Sequence, residues 1–76
     1  MAGIGDGRER VVHVRFEGRS NDIEFRVLGV TERSSDPEVF EALGRYFDVS
    51  TRKFGSYVVE REASGNMTVR PEAVFG

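Results

Sequence analysis

The stretch "VVHVRFEGRSNDIEFRVLG", residues 11–29, decides the fold. Val12, Val14 and Phe16 alternate with His13 and Arg15; further on, Ile23, Phe25 and Val27 alternate with Glu24 and Arg26. A period of two with one polar side marks strands of a sheet that is covered on one face and wet on the other. Between the two runs, "EGRSND" (17–22) is a cluster of turn formers. The stretch therefore reads as a hairpin, with its second strand in "DIEFRVLG" (22–29).

Downstream the period changes. In "DPEVFEALGRYFDVS" (36–50), Val39, Phe40, Leu43, Tyr46 and Phe47 fall at helical spacing and form one apolar stripe, with Glu38, Glu41 and Arg45 away from it. Ser35 or Asp36 can accept hydrogen bonds from the first free amides, Pro37 sits where its missing N–H costs nothing, and Ser35 with Glu38 fits a capping box. Gly44 inside a helix costs about 1 kcal/mol relative to Ala, which implies that something packs closely there. The helix should stop near Asp48. Phe54, in the connection "STRKFG", is expected beneath the helix end.

Two more strands follow. In "SYVVERE" (56–62), Tyr57 and Val59 take one face and Val58, Glu60 and Glu62 the other. After the turn "ASGN" (63–66), Met67 and Val69 point inward, Thr68 and Arg70 outward, and Pro71, which cannot donate to a ladder, ends or bulges the pairing. Four one-faced strands and one amphipathic helix imply an α+β fold. The helix lies across the apolar side of a four-stranded mixed sheet of order 2-1-4-3, whose first and last strands are parallel neighbours. A ββαββ chain with differently paired hairpins is the competing arrangement. Residues 11–76 read as one domain; Gly3, Gly5 and Gly7 make residues 1–10 a disordered lead-in.

Composition excludes several functions. There is no cysteine, His13 is the only imidazole, and no carboxylate cluster has ligand spacing, so neither a metal nor a cofactor is expected. A net charge of −2 with interspersed signs argues against a nucleic-acid partner. No apolar run approaches the roughly 18 residues of a membrane span, and "MAGIGDGRER" lacks the apolar core of a signal peptide, so a cytoplasmic chain without a membrane partner is expected. His13 has no nucleophile beside it, and Glu24 across the hairpin reads as a surface pair. Ser34 and Ser35 belong to the helix start, and the early glycines are no phosphate loop, having no strand before them and no helix after. The chain is not expected to be an enzyme.

The element order, the length and the terminal glycine resemble the ubiquitin-like β-grasp superfamily over roughly Val11 to Gly76. In that superfamily, sulfur carriers similar to the small subunit of molybdopterin synthase or the thiazole sulfur carrier end in Gly-Gly, and the last carboxylate is adenylated and then thiolated. The resemblance implies a carrier or modifier activated at the Gly76 carboxylate, with an activating enzyme as partner. This chain departs from the pattern: it ends Val74-Phe75-Gly76, with a bulky ring where a narrow channel would want a second glycine. Val74 and Phe75 are expected to pack against the sheet edge instead.

The outward sheet face is the stronger candidate surface. It is expected to carry Glu24 and Arg26, then His13 and Arg15, then Thr68 and Arg70, then Val58, Glu60 and Glu62. Ten arginines against the single Lys53 fit either genomic codon bias or planar recognition of carboxylates. The expected function is a small, monomeric, non-catalytic module that binds another protein through this face, with His13, Arg15, Arg26 and Arg70 as contacts and strand addition at an edge as a second mode. The alternative is the carrier with its handle at Gly76.

Overall fold

The computed structural model describes residues 10–72. Strands β1 (Val11–Phe16) and β2 (Arg19–Glu24) form the first hairpin; a helical turn α1 (Phe25–Leu28) leads to the main helix α2 (Asp36–Phe47). A 3-10 turn (Thr51–Phe54) then precedes β3 (Tyr57–Arg61) and β4 (Met67–Pro71). The chain is α+β, with α2 packed on a four-stranded mixed sheet of order β2-β1-β4-β3. β1 and β4 are parallel, and the two hairpins are antiparallel.

The first hairpin is tighter than the sequence implied. Only Glu17 and Gly18 turn, both at positive φ (53° and 79°), and Phe16 pairs directly with Arg19. A two-residue turn with both centres left-handed matches the twist of its strands, and it turns 19–22 from loop into strand. The second strand ends correspondingly early. Phe25 through Leu28 coil into α1, whose end is closed by the Gly29 N–H donating to the Phe25 carbonyl oxygen at 2.8 Å. Phe25 and Leu28 are buried, at helical spacing, while Val27 is 57% exposed. The expected inward place of Val27 is thus corrected, because a spacing of three replaces the spacing of two.

The expected helix start, the second hairpin and the sheet order are found as read. Ser35 and Glu38 form the capping box, with Ser35 N–H to Glu38 Oε1 at 2.7 Å and Glu38 N–H to Ser35 Oγ at 3.3 Å. α2 buries Val39, Ala42, Leu43 and Gly44, and leaves Tyr46 half-exposed. Gly44 is where the following chain crosses the helix: a Cβ there would stand 2.9 Å from the Val49 carbonyl oxygen. Opposite lie Val12, Val14, Met67 and Val69, each no more than 1% exposed. Each such side chain contributes about 1.5–3 kcal/mol by leaving water. Phe54 is the aromatic hub at one end of the core, its ring 5.3 Å from Phe16, 5.8 Å from Phe40 and 5.1 Å from Tyr57.

Candidate functional site

The sheet side away from α2 is built from the residues the core does not use. Cross-strand partners share a face, so the registers define rows. His13 pairs with Asp22 on one side and Thr68 on the other, and Thr68 pairs with Glu60. That row runs Asp22, His13, Thr68, Glu60, with an acid at each end. Arg15 pairs with Ser20, and Val58 with Arg70. Since Val14 and Val69 are parallel partners, Arg15 and Arg70 follow them side by side. The second row therefore runs Ser20, Arg15, Arg70, Val58: two arginines on adjacent strands between neutral flanks. The face is polarised along the strands, positive near the Glu17–Gly18 turn and acidic further away.

Hydrogen bonds between and beyond the rows fix most of these groups. His13 Nδ1 lies 2.7 Å from Asp22 Oδ1, Arg70 donates to Glu60 Oε2 at 2.6 Å, and the Thr68 hydroxyl donates to Glu62 Oε2 at 2.6 Å. The Arg70 guanidinium holds the Glu60 carboxyl below its ordinary value of 4.5, first by the hydrogen bond and then by its charge. Glu60 in turn raises Arg70. Arg15 is different. It is exposed, and no hydrogen bond or ion pair holds its guanidinium among the described residues. An unpaired Arg beside a paired one is a group ready for an incoming carboxylate, because binding breaks no internal bond.

Of the four residues expected on this face, His13, Arg15 and Arg70 are there. Arg26 is not on the sheet. It projects from α1, where Nε donates to Glu24 Oε1 at 3.0 Å, because the chain leaves the strand at Glu24. The partner of His13 is Asp22 rather than Glu24. Asp22 was hidden by the reading of 17–22 as one turn; "EG" as a complete turn was the signal that could have placed it. Gly76 and the expected docking of Val74 and Phe75 lie outside the described residues, as does the lead-in over 1–9. Arg10 is described: its carbonyl oxygen accepts from Phe25 N–H at 2.9 Å and its Nε is 2.6 Å from Glu32 Oε2.

A concavity of about 510 Å³ lies between α2 and the 3-10 turn, with Pro37, Phe40 and Phe54 among its walls. Of its two acids, Glu38 is committed to the helix cap and Glu41 lies 3.9 Å from the Arg45 guanidinium. Among the described residues no helix is long and apolar enough to cross a membrane, and no three of His, Cys, Asp and Glu cluster as metal ligands would. No family model, no curated protein and no solved structure matches the chain.

Proposed function

We propose that this chain is a β-grasp domain, of the ubiquitin-like kind, that acts without catalysis by binding another protein through its outer sheet face. The observation that carries the reading is the Arg15–Arg70 row. Arg15 and Arg70 follow the Val14–Val69 pair on adjacent strands, flanked by uncharged residues, and Arg15 has no hydrogen-bond or ion-pair partner among the described residues. Such a row suits an acidic partner surface, with Arg15 as the anchor and the Arg70–Glu60 pair setting its orientation. His13, held by Asp22, borders the contact, and Arg26 serves at most at its rim.

The test begins with affinity capture from the host, identification of the bound protein, and its titration against purified variants. Arg15→Ala is expected to weaken binding at least tenfold, about 1.4 kcal/mol, and Arg15→Ala with Arg70→Ala to abolish it, the circular dichroism spectrum remaining unchanged. Arg26→Ala is expected to have a small effect. Full affinity in the folded double variant defeats the proposal. The carrier reading has its own test on the same material: a thiocarboxylate or isopeptide adduct at Gly76, found by mass spectrometry, would replace the binding reading with activation at that carboxylate.

A further inference from the structure

The two edges of the sheet are chemically unlike. In antiparallel pairs, residues that exchange main-chain hydrogen bonds alternate with residues that do not. Glu72 N–H donates to Ser56 O at 2.8 Å and Glu62 N–H to Asn66 O at 2.9 Å, so the even-numbered residues of β3 face β4. Tyr57, Val59 and Arg61 therefore turn their N–H and C=O groups outward, to an edge that no strand among the described residues covers. By the same count, the Phe25 N–H bond to Arg10 O leaves Ser20, Asp22 and Glu24 facing the opposite edge on β2. The β2 edge is blunted by carboxylates, as exposed edges usually are. The β3 edge begins Tyr57-Val58-Val59, three half-buried apolar residues in a row.

We propose that β3 pairs antiparallel with β3 of a second copy of this chain, centred on Val59, joining two sheets into one. In this register Val59 lies opposite itself, Tyr57 opposite Arg61 of the second copy, and Val58 opposite its Glu60. The apolar half of each strand meets the charged half of the other, and no like charges face each other directly. Glu60 is already neutralised by Arg70. Roughly six main-chain hydrogen bonds would form, two at each outward-facing pair. Arg61 leaves its main chain open for this, because its side chain reaches away to Ser34 O at 2.8 Å and Asp36 Oδ1 at 2.7 Å. The β2 edge is less suited: antiparallel self-pairing centred on Asp22 sets Asp22 against itself, a shift towards Glu24 sets it against another carboxylate, and a shift that sets it against Ser20 leaves only two outward-facing pairs within the strand instead of three. The surface is separate from the Arg15–Arg70 row, and it replaces the monomer expected from sequence.

Sedimentation equilibrium of the full chain from micromolar to millimolar concentration is the test. The mass is expected to rise from 8.5 kDa towards twice that value. Val59→Pro removes an outward N–H and no β3–β4 hydrogen bond, so the folded variant should keep the ladder and stay at the single-copy mass; Asp22→Pro, on the other edge, should leave association intact. Hydrogen exchange on the unmodified chain supplies a readout independent of whether the variants fold: the amides of Tyr57, Val59 and Arg61 are expected to slow as concentration rises. A single-copy mass throughout overturns the proposal, even if another protein's strand is found on that edge. So does an association that folded Val59→Pro does not weaken, or exchange at those amides that ignores concentration.

Discussion

Each hairpin supplies one central strand and one edge strand, yet the two are held by different means. In the first, the turn is minimal and β2 buries only Ile23, its other helix-side positions being Arg19 and Asn21. Register there is set by the Glu17–Gly18 turn. In the second, the turn is longer, and β3 keeps Tyr57 and Val59 against the core. Its turn is tied to the other hairpin as well: Asn66 Oδ1 accepts the Val11 N–H at 3.0 Å, where the parallel pairing of β1 and β4 begins. A hairpin fixed by its turn can afford a polar edge; one fixed by side-chain packing carries apolar residues out to the rim.

The largest expected effect separates two valines that share a period-two pattern. Val69 in β4 is fully buried, and Val27 is 57% exposed on α1. Val69→Ala removes two methyl groups worth about 0.8 kcal/mol each and leaves a cavity, so a loss of about 2 kcal/mol is expected in urea unfolding. Val27→Ala should stay within about 0.5 kcal/mol. Equal losses would mean that the first hairpin continues as a strand through Val27.

That pair also marks where the sequence was legible. The helix, its cap, the close approach at Gly44, the second hairpin and the sheet order follow from periodicity and punctuation, because tertiary packing there agrees with local preference. The end of β2 does not, since Ile23 and Phe25 fit either a strand or the start of a helical turn. Only Leu28, with the closing Gly29, distinguishes the two readings. The outer face was legible as a surface because alternation puts His13, Arg15 and Arg70 on one side. Its pairing was not, because a shift in the turn decides whether Asp22 or Glu24 meets His13. That Arg15 has no partner among the described residues while Arg70 is bonded depends on side-chain geometry, which alternation does not encode.

A smaller effect compares the two turns. Gly18 (φ 79°) has open space where a Cβ would go, so Gly18→Ala costs only backbone strain, about 1 kcal/mol. Gly65 (φ 97°) is strained in the same way, but its added Cβ would also meet the Arg10 side chain. Gly65→Ala should therefore cost more, and it should displace the guanidinium from Glu32, to which it is bonded at 2.6 Å. The Arg10 Nε–H resonance would report the displacement. If Gly65→Ala proved the milder change, the second turn would be the looser of the two.

The smallest effect lies on the outer face and is read by pH. The folded-state pKa of Glu60 lies below its ordinary 4.5 because Arg70 hydrogen-bonds to the ionised form. The unfolded chain then binds the proton more readily than the folded one, so the pair's contribution is present above about 4.5 and fades as pH falls through the lowered folded value. Both groups are solvent-exposed, which keeps the contribution small and salt-sensitive. Arg70→Gln should thus unfold slightly more easily than the parent near neutrality, and the two melting curves should converge in acid. Convergence on raising the pH instead would mean that Glu60 is not ionised in the folded chain, and that Arg70 is as free as Arg15 to meet a partner.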